Sequence, residues 1–484
     1  MQNSWLLVMS GMFPGSYVET RTGLEMSSYN PNNILHVRDY TTKDAFNSSQ
    51  TSAPFTTSMD SIVHNMPNTV FNGTYRFDFP IDHNIIEDLI IEVGMHISAG
   101  PVSCFTPKAG MKIFEYIEFH GGGTRPVVQR LEGDQIALIE EIQHKTHQRS
   151  DDELGIYNFD VATQVVVSQA ATGAAPATYK FRLPFHFCQD QKQALKTCKY
   201  TKTAPYIYCK LVPTDDYILE DAAVDHSDVF VSGAWSAATD TVTIDVLKLH
   251  LKYVDYAPEM KAMLKRDETV PMKVWGQSEK FSWAATGSTS PSIQISTKGM
   301  CYGYMLVVRH TGDLPELHDS TNTANVLHSE RHSDWILQRL NTITLKHGTV
   351  TVWNTEPAQH FLGHILIDQL DDHEHIPVHY GAIGDNASYG NRFVNDGLVI
   401  TSTAANQRSG TKYIYFVPVF SHKAFKMDHF HGGLDNNRTT TTLTLTTPLP
   451  VFAAGNYHAT VWPLMYQDVL IKEDEMVLKE NYDE

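Results

Sequence analysis

The sequence predicts an all-β fold: two tandem eight-stranded jelly rolls in one chain, with a few short helices. Three observations predict it. Apolar and polar residues alternate with period two in segment after segment, which sends successive side chains to opposite faces of a sheet. Helical patterns are few and short. A set of landmarks also occurs twice, in the same order and at nearly constant separation, as expected of a duplicated domain.

The alternation is clear in Leu89–Ile97, where Leu89, Ile91, Val93, Met95 and Ile97 share one face and the other turns polar after Ile90. Val242–Val246 alternates in one phase and Leu247–Tyr253 in the opposite one, so a β-bulge is expected near Val246 and Leu247. Further strands are expected at Thr74–Phe79, Tyr116–His120, Tyr179–Cys188, Tyr206–Val212, Tyr302–Arg309, Leu340–Lys346, Thr349–Trp353, Tyr413–Phe420, Thr439–Thr446 and Tyr457–Ile471. Helical spacing is confined to Asp134–Gln143, Pro258–Arg266, Ser333–Leu340 and Pro357–Gln369.

In each half a strand runs into glycine (Tyr116–Gly122 and Asn341–Gly348), and a short helix follows it. A polar, His- and acid-rich loop comes next, then a strand containing proline (Pro184 and Pro418), and finally a long apolar strand ending at Val254 or at Leu470. Two copies of one β domain of more than 200 residues can each bury a full core. Jelly rolls are the usual way to protect sheet edges at this strand count. The division expected is an N-terminal arm (1–30), a first jelly roll (31–256), a linker helix (257–272), a second jelly roll (273–471) and an acidic C-terminal tail (472–484).

Composition narrows the function. With 484 residues, 42% apolar and 19% charged, the chain is globular, and 29 Gly and 22 Pro are close to average usage. The net charge is −18 and no Lys/Arg run exceeds two residues, which disfavours a phosphate-neutralising nucleic-acid surface. The start of the chain lacks a basic n-region, and only Trp5–Met9 are apolar in a row, so no signal peptide is expected there. No apolar stretch approaches the ~20 residues that span a bilayer. Five cysteines without Cys-x-x-Cys spacing fit reduced thiols in a cytosol-like compartment.

Candidate chemistry reads weakly. His120-Gly121-Gly122-Gly123 copies the oxyanion motif of some esterases, but no Gly-x-Ser-x-Gly elbow accompanies it, so a turn needing positive φ is the better reading. His328/His332 and His360/His364 have i,i+4 spacing but lack the glutamate of His-Glu-x-x-His. His429-Phe430-His431 with Asp435, and His373-Glu374-His375, resemble a duplicated cupin-type metal site only in part, without the upstream glycine and the spaced glutamate. Solvated loop histidines are the simpler account. Asp371, Asp372 and Glu374 beside His373 and His375 could also form a pH-sensitive contact, because imidazoles with pKa near ~6.5 neutralise such a strip in mild acid. The tryptophans are scattered and are expected to anchor core and interfaces.

The ordered landmarks resemble the double jelly-roll major capsid proteins of large double-stranded DNA viruses of eukaryotes (the nucleocytoplasmic large DNA virus type) and their smaller relatives. The likeness runs from about Phe71 to Leu470. It is carried by Phe79–Ile90, by Ile117–Gly122 followed by Leu131–Ile136, and by Leu183–Cys188 with Ala194-Leu195. Leu249–Tyr256 running into Glu259-Met260-Lys261, Tyr415–Pro418 and Gly433–Asn437 complete it. The chain departs from the family in its N-terminus and at Ala459-Thr460-Val461 of the last strand.

The resemblance implies a structural shell protein without an active site, cofactor or metal. It implies homotrimers with six jelly rolls and a nearly hexagonal outline, tiling an icosahedral capsid in the virion and assembled in the host-cell interior. The partners implied are the chain itself, neighbouring capsomers, penton and minor capsid proteins and an internal membrane nearby, with no direct nucleic-acid contact. The long loops Gln143–Thr178 and Asp371–Thr411 are expected to form outward towers, with Asn386 the candidate glycosylation site among four sequons. The rival readings are a duplicated cupin-type metalloenzyme and a viral glycan-binding spike.

Overall fold

The computed structural model describes residues 56–97, 103–105, 108–123, 127–143, 158–160, 165–167, 177–189, 194–215, 218–221, 241–256, 264–265, 269–284, 290–310, 340–358, 360–361, 379–380, 410–411, 414–419, 433–447, 456–472 and 475–479. They form an all-β molecule with three short helices.

Eight strands of the first half make two facing sheets: β1 (Thr56–Asn65), β2 (Thr74–Asp78), β3 (Ile85–Ile97), β4 (Phe114–His120), β5 (Val127–Leu131), β6 (Ala177–Arg182), β7 (Tyr206–Leu211) and β8 (Val242–Tyr256). Their orders are β1-β8-β3-β6 and β2-β7-β4-β5, antiparallel throughout. The second half supplies β9 (Thr269–Trp275), β10 (Ser292–Ile295), β11 (Met300–His310), β12 (Thr342–His347), β13 (Val350–Pro357), β14 (Tyr415–Pro418), β15 (Thr441–Thr446) and β16 (Asn456–Lys472). Their orders are β9-β16-β11-β14 and β10-β15-β12-β13. Counted within its own half, each set reads 1-8-3-6 and 2-7-4-5, so the duplication seen in the sequence is a duplication of topology: two eight-stranded jelly rolls.

Local sequence explains the strands. In β3 the residues Leu89, Ile91, Val93, Met95 and Ile97 are buried between the sheets, as their alternation requires. In β8 the register against β3 slips between Ile244 and Val246, so the bulge lies at Asp245, at the phase change. The expected helix at Asp134–Gln143 is α2 (Gly133–Gln143), which follows α1 (Ala109–Lys112). The strand expected to continue from Tyr179 to Cys188 ends instead at Arg182. Leu183 makes the last ladder bond, N–H to Leu89 O at 3.0 Å, and Pro184 has no N–H to continue it. His186–Gln189 then form a single helical turn, α3.

Two stretches differ in detail from the sequence reading. β9 begins at Thr269, within the stretch read as a linker helix; the chain tolerates Pro271 because β9 is a sheet edge paired only with β16 and Glu279–Ala284 continues along the same strand. Glu475–Lys479, within the acidic tail, is a strand, β17, that turns back on the end of β16. The helical patterns at Ser333–Leu340 and beyond Phe361 lie almost wholly outside the described residues, as does most of Pro258–Arg266.

One continuous hydrophobic core runs through both halves, from Phe77 to Met476. No helix among the described residues is long and apolar enough to cross a membrane.

Candidate functional site

The sequence-predicted chemical sites resolve into architecture. In His120-Gly121-Gly122-Gly123, Gly122 (φ 92°) and Gly123 (φ 62°) make the expected positive-φ turn. The Gly121 carbonyl accepts hydrogen bonds from Tyr200 Oη at 2.9 Å and from the Met476 N–H at 3.0 Å. His120 stacks on Tyr206 and lies 3.2 Å from Glu118 Oε1. His328, His332, His364, His373, His375, Asn386, His429 and His431 lie outside the described residues. Among the described residues no three His, Cys, Asp or Glu side chains gather as a metal site.

The other motifs are internal fastenings. Asn84 accepts from the Tyr256 N–H at 2.7 Å, while Asp255 receives the Asn84 N–H and His83 Nδ1, each at 2.8 Å. Asn436 is buried, donates to Tyr304 Oη at 3.2 Å and accepts from Thr441 Oγ1 at 2.6 Å. His186 directs its backbone N–H and ring Nδ1 at Gln129 Oε1, at 3.1 and 3.2 Å, amid Phe119, Phe185 and Phe187. Burial holds His186 neutral, its pKa lowered to about 3.

The site these elements build is the seam between the two jelly rolls. Its second-roll side is the outer face of the sheet β9-β16-β11-β14, where Trp275, Trp462, Met305, Val307 and Phe416 are buried. Its first-roll side is the β4–β5 edge with α2 and α3; β9 packs against both β5 and α3. At the start of α2, Asp134 (8% exposed) accepts both contacts of Arg309 Nη2 (3% exposed, on β11), at 3.0 and 3.1 Å. Gln135 Nε2 donates to Gly276 O at 3.2 Å. Glu132 accepts from Lys280 Nζ at 3.1 Å and from the Ser278 hydroxyl. Gly133 has no alternative here, because a Cβ would strike the Phe114 and Met111 carbonyls. Met476 of β17 closes the seam, its side chain filling the space that a Cβ on Gly121 would need. The sequence singled out Leu131–Ile136 and the glycine turn, but not Gly276, Ser278, Lys280, Arg309 or Met476, whose partners lie more than 140 residues away for the first four.

The equivalent outer face of the first roll, on β1-β8-β3-β6, is charged instead of apolar. Arg182 meets Asp88 at 2.9 Å, and Lys180 and Lys248 meet Glu92 at 2.8 and 3.0 Å. His96 lies 2.7 Å from Asp245. Burial alone would raise the Glu92 pKa, but its two lysines outweigh burial and hold the carboxyl at about 2. Four of the five cysteines, Cys188, Cys198, Cys209 and Cys301, are buried thiols outside any disulfide, and burial raises the thiol pKa of Cys188, Cys209 and Cys301.

No family model and no curated protein matches the sequence. Solved structures do match the fold. The quasi-atomic model of the PBCV-1 virus capsid aligns with TM-score 0.60 at 11% identity, covering 90% of this chain and 99% of that one. The Faustovirus major capsid protein aligns with TM-score 0.53 at 11% identity, covering 96% of each chain. A chain of the Sputnik virophage structure determined by cryo-EM aligns with TM-score 0.56 at 10% identity, covering 97% of this chain and 94% of that one. At such identities the likeness is one of architecture, and it extends over nearly the full length of both partners: this chain has the tandem jelly-roll fold that these three capsid and virus structures share.

Proposed function

We propose that the chain is a major capsid protein whose homotrimers form pseudo-hexagonal capsomers tiling an icosahedral virus shell. The observation that carries this reading is the repetition of strand order in the two halves, on a fold shared over 90% and 96% of the chain with the PBCV-1 capsid chain and the Faustovirus major capsid protein. A trimer of doubled rolls presents six similar edges while letting the two halves diverge for different neighbours. In this reading 31–256 and 273–471 are the two rolls, 1–30 an arm, 257–272 the connection, whose last residues, from Thr269, already open β9, and 472–484 the tail that supplies β17. Gln143–Thr178 and Asp371–Thr411, the connections before β6 and β14, are the outward towers, and penton proteins, minor capsid proteins and an internal membrane are the further neighbours. The motif residues support a structural role: buried Asn84, His186 and Asn436 and half-buried His120 bind their own chain. Light scattering of the purified protein at micromolar concentration tests the reading. A homotrimer, burying more than ~2,000 Å² in total, is expected; a monomer contradicts it.

A further inference from the structure

The in-chain seam has an uncovered counterpart, built from the same parts of the repeated fold. In the seam, the edge strand β5 of the first roll is covered: Val128, Gln129 and Leu131 are buried. Its topological twin in the second roll, β13, also ends its sheet, yet it is open along most of its length, with Val350 63% exposed and Trp353 half-buried. Likewise, the outer face of β9-β16-β11-β14 is buried against the first roll, while its twin on β1-β8-β3-β6 is covered only by its own side chains, with exposed Lys180 and Arg182 lying over buried Glu92 and Asp88. The open face carries Val63 (49% exposed) on β1, and Val70 (60% exposed) follows in the loop after β1. That loop is the twin of the Gly276–Lys280 segment, which binds Glu132 and Gln135 across the seam.

The described residues hold three exposed large apolar side chains, Val63, Val70 and Val350. Single exposed valines are ordinary on protein surfaces. Here all three fall on the two halves of the uncovered counterpart, two on one side and one on the other. The two halves lie on different parts of one chain, so joining them requires a second copy. Such a contact is heterologous and closes into a ring when its rotation permits.

We propose that β13 of one copy, with Val350 and Trp353, docks on the β1 side of the outer face of β1-β8-β3-β6 of a second copy, against Val63 and Val70, repeating between chains the arrangement by which the second roll packs on the first within a chain. The proposal rests on the trimer reading and deepens it by naming the surfaces that meet. The charged ladder of Asp88, Glu92, Lys180, Lys248 and Arg182 makes this contact more polar than the apolar in-chain seam. The in-chain seam is therefore permanent, and the one between chains is the dissociable one.

Wild type, Val350→Glu and the double variant V63E/V70E, compared by analytical ultracentrifugation, test this. Each variant is expected to be monomeric, with the far-UV circular dichroism of wild type, since the substituted side chains are exposed. Mixed in equal amounts, each retains one intact half of the contact, so they are expected to form a 1:1 pair that does not grow into a ring. A wild-type trimer untouched by Val350→Glu, or blocked variants that do not pair on mixing, overturns the proposed contact and leaves the trimer reading standing. A monomeric wild type overturns both. If the glutamate variants fail to fold, Val350→Thr keeps the branched shape while adding a hydroxyl, and trimer dissociation at least tenfold easier than wild type is expected; unchanged dissociation overturns the contact.

Discussion

Arg309 and Asp134 bring two charges into an interior that either one alone could not occupy. Arg309→Ala removes the guanidinium that faces the buried Asp134 carboxylate, and a loss of about 3–5 kcal/mol is expected in chemical denaturation. Replacing the pair together, Arg309→Met with Asp134→Leu, removes both charges and should recover most of that loss. A single variant as stable as wild type would show that the pair does not fasten the seam. His186 sets part of the acid limit. Its folded pKa of about 3 lies below the usual ~6.5, so between those values the unfolded chain binds the additional proton. Stability therefore falls as pH falls through this window, by up to ~1.4 kcal/mol per pH unit from this group. His186→Gln, which cannot titrate, should flatten the decline; a slope equal to that of wild type between pH 6 and 4 would contradict it.

Among the elements, the outer face of β1-β8-β3-β6 is held by cross-strand ion pairs centred on Glu92. Because the folded Glu92 carboxyl titrates at about 2, below its ordinary value of about 4.5, its contribution is fully present above the ordinary value and is lost as pH falls toward 2. Glu92→Gln should lower the melting temperature at pH 7 and make the profile flatter between pH 4.5 and 2; an unchanged profile would assign the acid sensitivity elsewhere. The elements that were legible in the sequence are those with one buried face, such as β3 and β8, where alternation reports burial directly. β1 is Thr-Thr-Ser-Met-Asp-Ser-Ile-Val-His-Asn, an edge strand with few apolar residues, and no periodicity marks it. Leu183–Cys188 reads as a strand because Leu183, Phe185 and Phe187 alternate along it, yet Pro184 ends the ladder and the aromatic side chains fill the space beside β4. The seam was legible only as local motifs around Gly121 and Gly133. Its long-range half was not, since Asp134 and Arg309 are 175 residues apart and no spacing rule links them.

At the scale of the molecule, the duplication explains why one chain carries both a permanent and an uncovered version of the same contact. The first has Trp275 and Trp462 buried at its centre, and the second shows exposed valines beside a charged ladder. Under the proposed function, divergence of the two halves in this manner gives a block that is stable alone and still adhesive at its rim. Electron microscopy of the native assembly tests that central claim most directly. The proposed function predicts a closed icosahedral shell whose repeating blocks have hexagonal outlines, each block resolving into three copies of this chain and six upright jelly rolls. Density placing the chain in isolated projections above a shell built of another protein would contradict it.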